Sequence, residues 1–594
     1  MKKKILGIGL IILVGLSGFW YFSKKDKDNT IIDYNYSDTT EISGDYDEDD
    51  LNDSETDYDT TITLSDSLSI YEGVGVSINS STITINSPGT YLIQGTLANG
   101  QIIVETNTKG VVRIILDNVS INCDDSSAIL VKQASKTVIT LVGDNFLSDG
   151  STYTNVVDEE PNSTIFSQDD LTINGNGNLN IDGNYENGIT SKDTLTIISG
   201  TINIDSNNIG IKGKDCLVIK DGNITINSNG EGLKSTNDTD TEAGYILIDG
   251  GIINITSSED GIEAANYITI NDGSITIKTG GGSFNSSTSS SWGSWNSSSS
   301  VSTSAKSIKA VNIVSINGGT ININSSDDSI HTNDTVIING GTINLTSGDD
   351  GIHADTELII NNGIININKS YEGLESTSIS INDGAVYIVA SDDGVNAAGG
   401  ADSSATSGRP GEGSFSSSTG SLIINGGYIY VDSTGDGLDA NGDMTINGGT
   451  IIVEGPTDNG NTSLDFDGSL LFNGGTVFAV GSSGMIETPS SSSSQNSIVI
   501  ALNEIKSSGT LINLTDSSGN SIISFESSQV FQAIIISSPD LVKNSSYSLY
   551  FGGTNSGDKK NGLYTGGTFT GGSLYTTLTL NNSVTSYGTT SRTR

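Results

Sequence analysis

Basic residues are scarce in this chain of 594 residues, where 26 Lys and Arg stand against 70 Asp and Glu for a formal charge of −44. Before the tail pair Arg592 and Arg594, the only arginines are Arg113 and Arg409. That deficit argues against nucleic acid as a partner, because phosphate backbones are held by basic surface. It suits a solvated extracellular surface, cation binding, or both. Cysteine is nearly absent as well. Cys123 and Cys216 lie 93 residues apart, about four coils of the repeat described below. At ~4.8 Å per strand this is roughly 19 Å, beyond the reach of a disulfide. Both read as small buried core residues, so the fold is expected to stand without cross-links. Long helical periodicity is missing after the first 25 residues, which leaves an all-β chain. Disorder, the usual reading of acidic chains, fails because Ile, Val and Leu recur at regular positions.

The one long apolar run is at the start. Lys2, Lys3 and Lys4 precede Ile5 to Phe22, 18 residues followed by Lys24 and Lys25. Residues 1–25 read as an uncleaved signal anchor with the body outside the cytoplasm, or as a signal peptide if they are cleaved. The expected location is extracellular, anchored at the cell surface or secreted, with membrane association through this segment alone. Residues 26–61 are acidic and polar and read as a flexible tether.

One motif then returns: a polar pair, a small residue, an apolar residue, a polar residue and a small one. Copies include ENGITS, GEGLKS, EDGIEA, AKSIKA, DDSIHT, DDGIHA, YEGLES, DDGVNA and GDGLDA, most often 22 residues apart. Longer intervals carry Ser/Gly-rich insertions at 280–305 and 399–420, with a shorter one from Asn237 to Ala243. A second motif, Asn/Asp-Gly-Gly-like, keeps the same period and follows short strands with alternating Ile and Val, as at Asn317-Gly318-Gly319 and Asn339-Gly340-Gly341. Side chains that repeat in register, like on like, predict a right-handed parallel β-helix of about 22 residues per coil. An antiparallel repeat such as a propeller is the alternative. The β-helix is expected over 62–489, with irregular first coils up to about residue 160. A linker at 490–496, a small C-terminal β domain or cap at 497–580 and a tail at 581–594 complete the division.

Stacking places equivalent side chains about 4.8 Å apart. Just before the small residue one column runs Asn187, Ile209, Glu231, Asp260, Lys306, Asp328, Asp350, Glu372, Asp393, Asp436 and Thr462. Two residues after it, a second column runs from Lys212 and Lys234 through Glu263, Lys309, His331, His353, Glu375 and Asn396 to Asp439 and Asp465. Glu259, Asp327, Asp349 and Asp392 add acids one place earlier. Stacked carboxylates repel unless some protonate, splay into water, or share cations. Hard oxygen donors suit Ca²⁺, while Asp before Gly is also ordinary turn chemistry. His331 and His353, the only histidines, fall one coil apart and form either a transition-metal site or a plain polar ladder. The insertions flank the acidic strand on both sides. Trp292 and Trp295 in the first of them are candidates for stacking on sugar rings.

The repeated DDGIHA, DDGVNA, EDGIEA and GDGLDA, interleaved with INGGT, resemble the clostridial carbohydrate-binding β-helix proteins, over about residues 62–580. That family is similar in fold to pectate lyases. The resemblance implies a secreted or surface protein that binds calcium and acidic plant polysaccharide such as polygalacturonate, and also cellulose, without hydrolytic activity. It implies calcium at Asp260, Asp327, Asp328, Asp349, Asp350, Glu372, Asp392 and Asp393, and none at the coils with Ile209 or Lys306. The reading is therefore a non-catalytic, monomeric polysaccharide-binding protein. A calcium-dependent lyase with Lys309 as base and a structural surface adhesin stand as alternatives.

Overall fold

Between Ile129 and Gly481 the strands recur in threes, and each coil pairs in parallel with the next. A computed structural model of the protein describes residues 44, 46–54, 56–154, 156–158, 160–285, 304–398 and 420–588. The chain divides into Met1–Ile42 and Ser43–Arg594, and every described residue belongs to the second unit. The anchor segment, Trp292, Trp295 and the end of the tail lie outside the described residues. Among the described residues no helix is long and apolar enough to cross a membrane.

The protein is an all-β parallel helix with three faces. The first face carries the acidic motif, as in Ile262–Ala264, Ile308–Ala310 and Ile330–Thr332. The second holds Tyr267–Ile270, Ile313–Ile316 and Thr335–Ile338, and the third Ser274–Thr279, Thr320–Asn324 and Thr342–Thr346. Register is kept residue for residue: Ile330 pairs with Ile352, His331 with His353 and Val314 with Val336. Alternation then sends Ile189, Ile262, Ile330, Leu374 and Leu438 inward, each with no exposed surface. Each such burial stabilises by roughly 1.5–3 kcal/mol, which is why the fold holds with Cys123 and Cys216 free and buried.

The small third residue of the motif has a steric cause. A Cβ added at Gly351 would lie 2.5 Å from the Gly373 carbonyl oxygen and 2.8 Å from Ile367 Cδ1. Where serine replaces it, as at Ser307 and Ser329, the hydroxyl pairs with Thr279 or with Ser325 and Ser347. At the corner between the second and third faces Gly341 has φ 90°, a conformation that favours glycine. The asparagine of the same motif builds a ladder. Asn317, Asn339, Asn361, Asn382, Asn425, Asn447 and Asn473 each donate Nδ2–H to Oδ1 of the asparagine one coil earlier. Asn271 starts the row on Asp249, and the Ser494 hydroxyl ends it on Asn473.

Two stretches differ from expectation. Within the segment read as a tether, residues 46–52 are docked on the β-helix. Asp47 caps the helical turn Glu48–Leu51, and Arg113 donates to the carbonyls of Asp49 and Asn52 at 2.9 and 2.7 Å. Lys136 pairs with Asp47 and Asp50 at 2.8 and 2.6 Å. The acids that suggested solvation are partners for the buried Arg113 and the half-buried Lys136. The serine-rich 490–494, read as part of a linker, also belongs to the body: Ser490 donates to the Leu470 carbonyl and Ser493 Oγ accepts from Phe472 N–H.

Both ends of the solenoid are closed. At the start, Thr60–Leu64 pairs antiparallel with Ile70–Gly73 and parallel with Gly89–Leu97. At the finish, Thr476–Gly481 pairs antiparallel with Phe531–Ser537. A six-stranded sheet containing Leu511–Thr515 and Ser546–Phe551 adds its own core around Phe478, Phe525 and Phe531. Caps of this kind hide strand edges that would otherwise pair with other chains.

Candidate functional site

The first face sets out both polar columns in the order that the repeat requires. Register runs Thr190, Lys212, Lys234, Glu263, Lys309, His331, His353, Glu375, Asn396, Asp439 and Asp465. It also extends backwards to Ile103, Leu130 and Phe166. One line of side chains therefore passes from apolar through cationic and imidazole to anionic.

The aspartates of the other column have a backbone role that the sequence did not reveal. Asp328 Oδ1 accepts the N–H of Asp350, and Asp350 Oδ1 accepts the N–H of Glu372, each at 3.1 Å. Asp260 does the same for Lys306, Asp393 for Asp436, and Asp436 for Thr462. Asn187 serves Ile209 in the same way. Each acid thus satisfies a donor one coil further on and leaves its second oxygen free for other chemistry. Glu231 and Glu372 are one methylene longer and instead reach Lys234 and Asn396.

What the second oxygen meets divides the column into three parts. In the first, lysines fill the space between carboxylates. Lys309 Nζ lies 2.8 Å from Asp260 and 3.2 Å from Glu263. Lys306, itself buried, contacts Asp328 and lies 3.4 Å from Asp327. Burial disfavours the charge on Lys309, yet Asp260 and Glu263 outweigh it and hold the ammonium above its usual range. A base needs the opposite. Lys212 is the lysine that burial and its neighbour Lys234 push down. The carboxylate oxygens of Asp327, Asp328 and Asp349 lie within 4.8 Å of one another, with the Lys306 ammonium against Asp327 and Asp328. Burial opposes ionisation of Asp328, but Lys306 and His331 hold its carboxyl well below the usual range.

In the second part the two imidazoles stack, with ring centroids 4.9 Å apart. His331 Nδ1 faces Asp328 at 3.0 Å. His353 Nδ1 faces Asp350 at 3.4 Å and Glu375 at 2.9 Å. Burial works against charge on His353, yet Asp350 and Glu375 push its pKa up to about 12. Asp350 itself is raised well above the carboxylate range by burial, with Asp328, Glu375 and Glu372 adding to it.

The third part holds oxygen donors with no cation. Among the described residues no lysine, arginine or histidine comes within ion-pair distance of Asp393, Asp436 or Asp439. Burial and Asp392 push Asp393 up to about 6. Burial, with Asp393 and Asp465, raises Asp439 to about 7 and Asp436 to about 8. Over Gly435 two carboxylates converge: an added Cβ would lie 2.3 Å from Asp393 Oδ1 and 2.5 Å from Asp392 Oδ1. This set of hard oxygens matches what calcium takes. The eight acids singled out from the sequence thus fall into different environments, with Asp260 and Asp328 neutralised internally and Asp392 and Asp393 not. Asp436 and Asp439 belong with the latter. Their signal was present in GDGLDA, in register but outside the run of paired acids.

The insertions enter and leave at the ends of first-face strands, after Leu233–Ser235 and Val395–Ala397 and before Ile308–Ala310. At the root of one of them Phe284 is 93% exposed, with Lys369 Nζ 5.3 Å from its ring centre.

Residues 79–351 match a family model described as carbohydrate-binding domain-containing protein. A curated carbohydrate-binding domain-containing protein of Acetivibrio thermocellus is 37% identical over 134 residues, 22% of this chain and 47% of the relative. The chain thus spans about half the length of the curated relative it matches. A solved structure described as the polysaccharide lyase-like protein from C. thermocellum, a gadolinium derivative, is 34% identical with a TM-score of 0.37, covering 38% of this chain and 92% of its own.

Proposed function

We propose that the protein is a non-catalytic carbohydrate-binding protein displayed outside the cell, and that calcium on the first face joins it to an acidic polysaccharide such as polygalacturonate. The observation that carries this reading is the oxygen-only stretch at Asp392, Asp393, Asp436 and Asp439. Burial and crowding raise Asp393 to about 6, Asp439 to about 7 and Asp436 to about 8, and a divalent cation would relieve that crowding. The residues would hold calcium through their free oxygens, and bound calcium supplies positive charge for the uronate carboxylates of the ligand. A protein of formal charge −44 needs such an intermediary to hold a polyanion. The match of residues 79–351 to a carbohydrate-binding family model supports the ligand class. Residues 1–25 would serve as the anchor, with a secreted form if they are removed. The lyase alternative loses its base, because Lys309 is committed to Asp260 and Glu263.

The test is retention of the chain from Ser43 onward, which keeps the docked turn at 46–52, on insoluble polygalacturonate with calcium and then with chelator. Retention only with calcium is expected. No retention in either condition sinks the uronate reading and favours a surface adhesin or a neutral glycan such as cellulose.

A further inference from the structure

The imidazole centre differs chemically from the oxygen-only stretch, and calcium is not its natural occupant. We infer that Asp350, His353 and Glu375 form a site for a divalent transition-metal ion of the zinc class, linking two successive coils.

Three donor atoms already converge in this centre. His353 Nδ1, an Asp350 oxygen and a Glu375 oxygen lie within 4.8 Å of one another. The Nδ1 distances are 3.4 Å to Asp350 and 2.9 Å to Glu375. Around a tetrahedral zinc with ligands at about 2.0–2.2 Å, neighbouring ligand atoms are about 3.3 Å apart. The three donors are therefore already near ligand spacing, and only a small displacement of Glu375, the most exposed of them, would open the 2.9 Å gap. Two carboxylates and one imidazole are zinc donors, whereas an imidazole nitrogen in the set selects against calcium.

The second observation is independent of the donors themselves: each fixed donor has an outer partner. His353 Nε2 lies 3.1 Å from Asp355 Oδ1. Once the Nδ1 proton is displaced, an Nε2 proton donated to that carboxylate would keep the Nδ1 lone pair directed at Asp350 and Glu375, the carboxylate–histidine–metal arrangement. Asp350 is held by its other oxygen, which accepts the N–H of Glu372 at 3.1 Å. His353 is almost fully enclosed, with its side chain 2% exposed. Charge points the same way. Three carboxylates, Asp350, Asp355 and Glu375, surround one imidazole, and among the described residues no lysine or arginine pairs with any of them. The neighbouring cluster of Asp328, His331 and His353 lacks this opening, because Lys306 is already on Asp328. Metal binding would replace the proton that His353 shares with the carboxylates, and the ion would tie the Asp350–His353 coil to the coil of Glu375. This inference stands apart from the carbohydrate reading, since neither needs the other.

The test is a Co²⁺ titration of the metal-stripped full chain, followed by displacement with Zn²⁺. Intense visible bands of four-coordinate Co²⁺ at one equivalent, abolished by Zn²⁺ and unaffected by excess Ca²⁺, are expected. His353→Ala and Glu375→Gln should each weaken binding more than about 10-fold, and Asp355→Ala, which touches only the far side of the ring, by about 10-fold. Asp393→Asn should leave the bands unchanged. If His353→Ala fails to fold, Glu375→Gln and Asp355→Ala carry the test. Only the weak bands of octahedral Co²⁺, or intense bands that persist in Glu375→Gln and Asp355→Ala, overturn the site.

Discussion

Asp436 shows how one side chain can carry two roles that substitution separates. Its Oδ1 accepts the N–H of Thr462, while its charge is opposed by burial and by Asp393, Asp465 and Asp439. Asparagine keeps the acceptor and removes the charge, as Asn187 does naturally toward Ile209. Asp436→Asn is therefore expected to melt at or above the parent temperature in chelator, whereas Asp436→Ala strands the Thr462 N–H and costs about 1–3 kcal/mol. Thermal melts of the two variants side by side check this, and equal losses in both would remove the backbone role.

The strands of the first face differ in how they are neutralised, and Lys306 is the clearest case. It stands where the neighbouring coils carry Asp260 and Asp328, it cannot accept the next N–H, and Asp328 N–H turns to Asp327 Oδ1 instead. In return its ammonium serves Asp327 and Asp328 as an internal cation. Lys306→Met should leave the buried Asp328 with His331 as its remaining cationic partner, a loss of up to about 3–5 kcal/mol by denaturant unfolding. Added calcium should recover part of that loss. In-register repetition was enough to predict strand, face and neighbour for His331, His353 and Glu375, because like-on-like stacking leaves one solution. Repetition could not tell which acids are neutralised, since that depends on whether a lysine folds back along the column or points away. Nor could composition reveal that residues 46–52 dock, because Arg113, Lys136 and Thr172 come together only on the folded second face.

Over the whole molecule the acid ridge makes stability depend on pH in an unusual direction. Asp439 and Asp436 have folded values of about 7 and about 8 against an ordinary 3.8, so both bind protons more tightly folded than unfolded. Their contribution is complete below the unfolded value and is lost as pH rises through about 7 and about 8. In chelator the melting temperature should fall as pH rises from about 4 to about 8, the window between the ordinary 3.8 and these two folded values. Calcium should flatten the fall. A profile that rises with pH in chelator would mean that the ridge is not crowded as described. The other continuous feature, the asparagine row from Asn271 to Asn473, bears on how the protein ages. Several of its members, such as Asn317, Asn339 and Asn447, precede glycine, the arrangement in which the side-chain amide is most readily lost by attack of the following backbone nitrogen. Here that amide is clamped from both sides, above and below, so the chemistry is slowed for as long as the row is intact. One conversion to aspartate would replace a donor with a charge and unclamp its neighbours, so damage would spread along the axis from the first lesion rather than accumulate at random.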